Sequence, residues 1–431
     1  MKLILRNIGM LKEAELNLNG LTVIAGENDN GKSTVGKVIF CIIKAINRYK
    51  EDLEESREHR LEEKLREAFF LARRRVSLID EFDFIDELRL LQDPDATLSI
   101  KLEKLDNIVS IASNSPDIDM SALNILKKAI IEIKNISIEP ENTKKSIENA
   151  LKKVFISEFD SNILLFGTRE GFIGLYDGSI TLIEVKIDAD NKTTLLGRVE
   201  PIELRDATFV ESPLVLNNYD LLIRSKSGLD ANRRNVSRLG IPYTTLHIKD
   251  LFDKLREKLS FAEILMTDNS IKLINELNSI IDGEIIYDDK DKNFVFKKEQ
   301  EYIPIKNTAS GIKTFGIIQL LIGNGFLGND SLFIFDEPEN HLHPKWQLKL
   351  AKVLITLVKN GVNVLISSHS PYMIEALKRF SDADDLENKT NFYLAENGVI
   401  ENRNRLEDIF ELLSQPFDEF RKMDEDILKD E

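Results

Sequence analysis

Apolar and polar residues alternate along the first part of the chain. The alternation runs through Leu3 and Leu5 and again through Leu16 and Leu18, which is typical of half-buried β-strands. Residues 21–25 form a short apolar run that leads directly into a glycine-containing loop. After the loop, apolar residues recur at helical spacing, at Val35, Val38, Ile39, Ile42, Ile43 and Ile46. The pattern therefore predicts a strand, a loop and a helix in succession.

The rest of the chain shows segments with different periodicities. Charged sequence with apolar residues at helical spacing predicts helical insertions, whereas Gly-rich turns between short apolar runs predict strands. Near the end of the chain, a hairpin precedes helices that alternate with nearly all-apolar strands, as in a parallel sheet covered on both faces. The predicted fold class is therefore α/β. The predicted segments are a first lobe at 1–45, a helical insertion at 46–158, a β-rich part of the first lobe at 159–216, a second helical insertion at 217–282, a second lobe at 283–400 and a helical tail at 401–431.

The glycine-containing loop matches a phosphate-binding motif. Its spacing is G-x-x-x-x-G-K-[ST], in which backbone N–H groups at the start of a helix attract phosphate. The motif residues are Gly26, Glu27, Asn28, Asp29, Asn30, Gly31, Lys32 and Ser33. In this motif, Lys32 is expected to reach the β- and γ-phosphates, and the Ser33 hydroxyl is expected to bind Mg²⁺. Thr34 either assists at the α-phosphate or packs in the first helical turn.

An apolar run at 331–335 ends in two acidic residues, Asp336 and Glu337. Acidic residues at the carboxyl end of a strand lie where doubly wound sheets bind ligands. Together with a phosphate loop, Asp336 is expected to hold Mg²⁺ largely through its water shell, and Glu337 to orient or deprotonate the attacking water. Taken alone, the two acids also fit a structural role as a cap of the next helix.

Two further sets of residues are candidates for the same site. Ser310 and Gly311 open a predicted helix; alone they indicate an N-cap, but their place before the acidic strand favours contact with nucleotide bound to a second copy. His369 follows another apolar run and is suited to sense the γ-phosphate, although a lone histidine is more often structural. His341 and His343 resemble a metal pair but lack a third ligand, so zinc is not expected.

Composition limits the classes of partner. The formal net charge of −16 argues against a protein that coats nucleic acid. Arginines at 73–75 and at Arg233, Arg234 and Arg238 fit either phosphate contact or, as we favour, solvated helix faces. The single cysteine, Cys41, excludes an internal disulfide and fits a reducing compartment. With no signal-peptide pattern and no apolar run near ~20 residues, a cytoplasmic protein without membrane contact is expected.

The chain resembles ABC-type ATPases of the RecF/SMC-like branch. Within that branch it is most similar to the overcoming-lysogenisation-defect group and to stand-alone ATPases of bacterial anti-phage systems such as Septu and PARIS. The matching segments are the phosphate loop and the runs TASGIKTFGIIQLL, FIFDEPENHLHP and LISSHSPYMIEAL. The resemblance covers about 1–45 and 302–380, and it implies an ABC-type P-loop NTPase head that uses ATP and Mg²⁺.

The resemblance also assigns roles. It implies phosphate binding by Lys32, a catalytic base at Glu337 and a switch histidine at His369. It further implies a head-to-tail homodimer, or an oligomer built from such dimers, in which Ser310 contacts the γ-phosphate held by the partner. The family's metal-binding Q-loop glutamine is not found, and Glu211 is the candidate that replaces it at the metal.

Two other features depart from the family pattern. Ile312 and Lys313 stand where transporters have Gly and Gln, which predicts slow hydrolysis. No aromatic residue occurs in 1–25 to stack on adenine, so the choice between ATP and GTP is left open. The segment after His369 is shorter than the Toprim nuclease domain of related enzymes, which implies that any effector is a separate protein.

The leading hypothesis is an ATPase that regulates or scaffolds a separate nuclease or toxin, of HNH or Toprim type if a nuclease, in anti-phage defence. One alternative is a RecF/SMC-like DNA-repair ATPase that clamps DNA, against which the acidic charge counts. A second alternative is an ATP-binding sensor or scaffold that scarcely hydrolyses its nucleotide. The charge alone leaves direct contact with nucleic acid open.

Overall fold

A computed structural model describes residues 1–49, 57–75, 88–91, 93, 96–113, 120–138, 143–160, 162–224, 226–227, 243–259, 262, 266–413, 415, 420–421 and 423. The chain divides into two compact units. The head unit comprises Met1–Arg48 and Glu148–Glu431, and the helical unit comprises Tyr49–Ile147. Arg233, Arg234 and Arg238 lie outside the described residues, as do all of residues 228–242 within the predicted second helical insertion at 217–282.

The bounds of the elements are as follows. The strands are β1 (Lys2–Ile8), β2 (Leu11–Asn17), β3 (Leu21–Ala25), β4 (Glu170–Asp177), β5 (Ile180–Asp188), β6 (Thr193–Leu195), β7 (Asp206–Val210), β8 (Lys226–Ser227), β9 (Tyr243–Thr244), β10 (Glu284–Asp288), β11 (Asn293–Lys298), β12 (Glu301–Pro304), β13 (Ser331–Asp336), β14 (Asn363–Ser368), β15 (Thr390–Glu396) and β16 (Val399–Arg403). The helices are α1 (Lys32–Asn47), α2 (Arg57–Arg75), α3 (Leu98–Ser113), α4 (Met120–Ile138), α5 (Thr143–Phe159), α6 (Tyr219–Arg224), α7 (Leu246–Arg256), α8 (Asp268–Ile281), α9 (Ser310–Gly323), α10 (Pro344–Lys359) and α11 (Pro371–Ala383).

The head unit is built on an 11-stranded sheet with the order β6-β5-β4-β1-β2-β16-β15-β3-β14-β13-β7. The strands from β15 to β7 are parallel to one another. The strands β1, β2, β4, β5 and β6 pair antiparallel and extend the same sheet at its other end. The predicted α/β class, with a mixed sheet and helices, is thereby confirmed.

The parallel part of the sheet is covered on both faces. Every residue of β3 and of β13 is buried, as expected for parallel strands whose crossover helices pack on both faces. The hydrophobic core here includes side chains from α9, α10 and α11. The strand core therefore fixes the positions at which the loops after β3, β13 and β14 emerge.

A smaller antiparallel sheet contains the predicted hairpin. β10 pairs with β11, and β11 also pairs with β12, a third strand that the sequence pattern did not predict. Gly316 of α9 allows this sheet to pack closely, because a Cβ at Gly316 would lie 2.1 Å from Ile285 Cδ1.

The helical unit has a core of its own. Side chains of α2, α3 and α4 form an apolar cluster that includes Ala68, Leu105, Ile108, Leu123 and Ile133, each 0% exposed. These helices lie inside the predicted insertion at 46–158. Among the described residues of the whole chain, no helix combines the length and apolarity needed to cross a bilayer.

Candidate nucleotide-binding site

The predicted site residues gather at the carboxyl edge of the parallel strands. β13 pairs with β7 through Phe335 and Val210, and with β14 through Asp336 and Ser367. β14 in turn pairs with β3 up to Ala25. Because the carboxyl ends of parallel strands share one edge, the residues that follow these strands are neighbours. They are Glu211 after β7, Glu337 after β13, His369 after β14 and Gly26 after β3.

The loop between β3 and α1 has a backbone that only glycine adopts easily at two points. Gly26 has a φ of +150° and Gly31 a φ of +80°. A Cβ at Gly26 would lie 2.4 Å from the Ala395 carbonyl oxygen, and one at Gly31 would lie 2.6 Å from Leu11 Cδ2. The main chain of the loop therefore packs directly against Ala395 and Leu11, with no room for a side chain at either glycine. Between the two glycines, Glu27, Asn28 and Asp29 are exposed and Asn30 is half-buried.

Lys32 is buried at the start of α1 and turns back over the loop. Its Nζ donates to the carbonyl oxygens of Gly26, at 2.9 Å, and Glu27, at 2.7 Å. Burial lowers the pKa of Lys32, and the negative charges of Glu337 and Asp336 oppose that shift. The ammonium group therefore lies between the loop and the acidic end of β13.

Asp336 ends β13 and is 8% exposed. Burial raises the pKa of its carboxyl group, and hydrogen bonds from the Ser367 and Ser33 hydroxyls act in the opposite direction. The charges of Glu337 and Glu211 also raise this pKa. The Ser33–Asp336 contact brings together the two residues that the sequence assigns to Mg²⁺.

Glu337 lies between the predicted phosphate-binding lysine and the predicted switch histidine. Its Oε1 is 4.0 Å from Lys32 Nζ and 3.4 Å from His369 Nδ1. Its Oε2 accepts from Asn340 Nδ2 at 3.0 Å. The backbone of Glu337 has a φ of +43° and its N–H donates to the Ser367 carbonyl oxygen at 3.0 Å, which fixes the direction of the side chain.

Glu339 is a residue of this site that sequence analysis missed. It is 4% exposed, and its Oε1 accepts from Ser368 Oγ at 2.7 Å and from the backbone N–H groups of His369 at 2.8 Å and Ser370 at 3.2 Å. The same carboxylate thus sets the main chain of the loop that carries His369. The available signal was a second acidic residue two positions after Glu337, in a loop otherwise expected to be solvated.

His369 keeps a ring nitrogen free of hydrogen bonds to the described residues. Its Nδ1 is buried, and neither Glu337 at 3.4 Å nor Glu339 at 3.5 Å meets it with hydrogen-bond geometry. A buried polar atom without a partner is unusual. This nitrogen is therefore suited to bond to a ligand oxygen.

Ser310 is the first residue of α9 and not its N-cap. The N-cap is Ala309, whose side chain makes no cap hydrogen bond, so the structural interpretation of Ser310 as an N-cap is wrong. Ser310 Oγ donates to the His341 carbonyl oxygen at 3.4 Å. Gly311 lies against the Trp346 ring, which is 2.9 Å from where its Cβ would be. The first N–H groups of α9 thus lack a side-chain cap.

Two histidines in this region are structural. His343 is the N-cap of α10, and its Nδ1 accepts from the Lys345 N–H at 3.2 Å. His341 has a φ of +63° and supplies the carbonyl oxygen to which Ser310 donates. Across the described ranges, no group of three or more His, Cys, Asp or Glu side chains is placed to hold a metal ion.

Glu211 follows β7, at the same edge of the sheet as Asp336. Its Oε1 is 3.6 Å from Lys37 Nζ, and its Oε2 is 3.2 Å from His247 Nε2. The hydrogen bond from His247 and the charge of Lys37 lower the pKa of Glu211 to about 2, against the effect of burial. Burial lowers the pKa of the His247 ring, but the hydrogen bonds of the ring to Glu158 and Glu211 outweigh this effect and raise the pKa to about 9.

The donor set fits a Mg²⁺ ion that is shared with phosphate. Mg²⁺ usually takes one or two carboxylates and completes its shell with water and substrate phosphate oxygens. Here Asp336 and the Ser33 hydroxyl are in contact, and the neighbouring acids raise the pKa of Asp336. An acidic site of this kind gains from a divalent cation, while the three-ligand cluster needed for a dedicated metal cage is not found among the described residues.

A glycine loop between a buried strand and a buried helix, with acids at the end of a neighbouring parallel strand, defines the head of a P-loop ATPase. The model of one family, described as "AAA ATPase domain", matches residues 1–374. The chain belongs to this family, and the prediction of a nucleotide-binding ATPase is confirmed at that level.

Similarity to individual proteins is more distant. Protein ea59 of Escherichia phage lambda is 30% identical over 128 residues, which are 28% of this chain and 24% of that protein. The match thus spans about a quarter of that relative. The Smc head domain of Pyrococcus furiosus, bound to the C-terminal domain of ScpA, is 11% identical, with 96% of this chain and 98% of that chain covered and a TM-score of 0.41.

A second solved structure is similar over a comparable length. It is MJ1267, an ATP-binding cassette of an ABC transporter in its ADP conformation, which is 12% identical with 96% of each chain covered and a TM-score of 0.33. At these TM-scores, the likeness to either solved structure supports no conclusion about the function of this chain.

Proposed function

We propose that this chain binds ATP with Mg²⁺, hydrolyses it in a head-to-tail homodimer, and thereby regulates or scaffolds a separate effector protein. The observation that supports hydrolysis most directly is the position of Glu337. Its carboxylate lies 4.0 Å from Lys32 Nζ and 3.4 Å from His369 Nδ1. A carboxylate between a phosphate-binding lysine and a histidine with a free ring nitrogen is suited to activate water at a γ-phosphate.

Each side chain has a task that suits its surroundings. Lys32 would exchange its bonds to the Gly26 and Glu27 carbonyl oxygens for phosphate oxygens. Ser33 and Asp336 would hold Mg²⁺, which when bound neutralises charge on the β- and γ-phosphates. Glu337 accepts the proton of the attacking water.

Glu337→Gln tests this assignment. The amide keeps the size of the side chain but cannot accept the proton, so we expect ATP affinity to be retained and turnover to fall by at least about 100-fold. Glu375→Gln on α11 is the matched control, because within the part of the chain that the structure describes Glu375 pairs with exposed Arg379, and it lies in the helix that follows His369. Phosphate release and nucleotide binding are measured for both variants. Unchanged turnover in Glu337→Gln would remove Glu337 from its role.

The open N-terminus of α9 supports the dimer. The N-cap of this helix is Ala309, which offers no side-chain acceptor, and a helix start with free N–H groups attracts an anion. The loop at Gly31 already supplies such a start for the chain's own nucleotide. We therefore assign Ser310 and Gly311 to the γ-phosphate held by the second copy, which makes the nucleotide part of the dimer contact.

The effector and the anti-phage role rest on the motif resemblance. We propose a nuclease of HNH or Toprim type, or a toxin, as the partner. Purification of Glu337→Gln protein from the native host with ATP tests this, because slow turnover should hold the assembly together. Copurification of a nuclease or toxin supports the proposal. Copurification of DNA alone, lost as salt is raised, would favour a DNA-clamping ATPase.

The alternative of an ATP sensor without turnover is separated by single-turnover kinetics. With enzyme in excess over labelled ATP, a hydrolase converts the bound nucleotide to ADP and phosphate, whereas a sensor shows occupancy without phosphate release. Intact ATP after many hours at full occupancy would exclude hydrolysis and leave binding as the function.

A further inference from the structure

A chain of three side chains reaches from the end of α5 to the nucleotide site. His247 lies between two carboxylates: its Nδ1 is 2.5 Å from Glu158 Oε2, and its Nε2 is 3.2 Å from Glu211 Oε2. The side chains of His247 and Glu158 are 1% and 0% exposed. An imidazole that meets carboxylate oxygens at both nitrogens is satisfied only when both nitrogens donate. The ring is therefore committed at both ends.

The position of Glu211 connects this chain to the reacting groups. β7 and β13 are parallel neighbours that pair through Val210 and Phe335. The residues that follow this pair, Glu211 and Asp336, therefore lie side by side. Neighbouring strands lie about 4.8 Å apart. Glu211 is thus an acidic neighbour of the residue assigned to Mg²⁺.

The other end of the chain is fixed by the main chain of α7. Glu158 Oε1 accepts from the His247 N–H at 3.0 Å, and Ser157 Oγ accepts from the Leu246 N–H at 2.9 Å. Both amides belong to the first turn of α7, where helical N–H groups lack intrahelical partners. The His247 ring also packs on Phe209 of β7, with 4.8 Å between ring centroids. The ring has little freedom to turn, so Glu211 meets a donor in a fixed place.

We propose that Glu158 and His247 are positioning residues of the nucleotide site, which hold the Glu211 carboxylate beside Asp336 so that it accepts hydrogen bonds from the water shell of Mg²⁺. This inference rests on the proposed function as a Mg²⁺-dependent ATPase. Partners that orient a metal-site carboxylate typically change metal affinity or activity by about 10- to 100-fold when they are replaced. Glu158 on α5 acts through His247 and Glu211, so its effect crosses two side chains before it reaches the metal site.

A purely structural role is the competing explanation, and the same helix provides its control. Asp250 of α7 is 2.5 Å from Lys44 Nζ and 3.0 Å from Lys254 Nζ, in a buried network that also contains Asp206. Asp250→Asn weakens the packing of α7 without removing a contact to Glu211. Loss of stability alone should therefore affect His247→Gln and Asp250→Asn alike.

The test follows the full chain at saturating ATP as a function of free Mg²⁺ concentration, with two readouts: the rate of ATP hydrolysis, and the affinity of the nucleotide-bound protein for Mg²⁺ measured by competition with Mn²⁺. We expect His247→Gln to raise the Mg²⁺ concentration for half-maximal rate by at least about tenfold, while Asp250→Asn stays within about twofold of wild type. Glu211→Gln should give the same shift, and the double variant His247→Gln/Glu211→Gln no further shift, because both remove one interaction. Equal shifts in His247→Gln and Asp250→Asn, or additive shifts in the double variant, would overturn the inference.

Glu158→Gln keeps the test decisive if His247→Gln does not fold. Each oxygen of Glu158 meets one donor, the His247 N–H or the ring Nδ1–H, so a glutamine in the same position turns its NH2 group towards one of them, and we expect a smaller shift in the same direction. An unchanged Mg²⁺ dependence in Glu158→Gln, with wild-type turnover intact, overturns this inference alone. Absence of ATP turnover in the wild type overturns the proposed function as well.

Discussion

The charge of His247 depends on carboxylates that approach its ring from two different elements. Glu158 comes from the end of α5 and Glu211 follows β7. Burial lowers the pKa of the ring, but the hydrogen bonds to these two carboxylates outweigh it and raise the pKa to about 9. A pKa that is higher in the folded chain than the ordinary value of 6.5 means that protonation favours the folded state. The stabilisation is complete below pH 6.5 and is lost as the pH rises through about 9.

This sign gives a prediction for stability. One pKa unit corresponds to ~1.4 kcal/mol, so we expect the difference in unfolding free energy between wild type and His247→Gln to shrink by on the order of 3 kcal/mol from pH 6 to pH 10. Urea unfolding in EDTA without nucleotide measures this, since no bound ligand then contributes. A difference that is constant with pH, or that grows as the pH rises, would show that the ring is not charged in the fold.

Glu339 is an acidic residue of the site whose carboxylate binds the main chain of a neighbouring loop. Its Oε1 accepts from Ser368 Oγ and from the N–H groups of His369 and Ser370. Burial raises the pKa of this carboxyl group, which the hydrogen bonds oppose. The buried carboxylate of Glu339, two residues after Glu337, thus holds the main chain at His369 so that the ring faces Glu337.

Among the elements, α9 combines tight packing on one face with an open start. Gly316 lies under the small antiparallel sheet, where a Cβ would be 2.1 Å from Ile285 Cδ1 and 2.6 Å from Ile285 Cγ1. Gly323, at the end of the same helix, has nothing within 4 Å of its Cβ position. Comparing the same substitution at the two glycines therefore distinguishes the effect of steric contact from that of helix propensity.

Gly316→Ala should destabilise the head unit, whereas Gly323→Ala should be neutral or stabilise it by up to about 1 kcal/mol, the usual gain of Ala over Gly in a helix. We expect Gly316→Ala to cost about 1–3 kcal/mol from overpacking. The measurement is the free energy of unfolding in urea. In an Ile285→Ala background, which removes the two closest atoms, Gly316→Ala should cost less. An equal cost in both backgrounds would contradict close packing between α9 and β10.

At the scale of the whole molecule, the site is proposed to be complete only in a dimer. In the proposed dimer, Lys32 would act on the nucleotide of its own copy and Ser310 on that of the partner. A symmetric dimer then contains two identical composite sites. Mixing two inactive variants distinguishes this arrangement from a site that lies within one copy.

Lys32→Ala and Ser310→Arg should each abolish turnover when they are alone. In an equal mixture, half of the dimers are mixed, and each mixed dimer has one intact site of its two, so we expect roughly a quarter of wild-type turnover. ATP hydrolysis after mixing and exchange is the measurement, and two samples of one variant mixed together provide the control. If the mixture stays as inactive as its components, Ser310 does not act on the nucleotide of a second copy.

The local sequence determined those parts of the site that depend on the spacing of residues within one short segment. The loop from Gly26 to Ser33 must fit phosphate with its backbone, so its residues are fixed within a few positions. The same holds for the strand that ends at Asp336, because a fully buried parallel strand requires an unbroken apolar run. The α/β class followed from these runs for the same reason.

Only the tertiary structure decided which distant groups meet. Glu158, Glu211 and His247 come from three elements, and no periodicity indicates that they form one chain of hydrogen bonds. Likewise, nothing in the spacing around Glu339 shows that it binds the main chain before α11. Such contacts depend on the order and register of strands in the sheet. That order is set by how the whole core packs, and a one-residue change in register would separate Glu211 from Asp336.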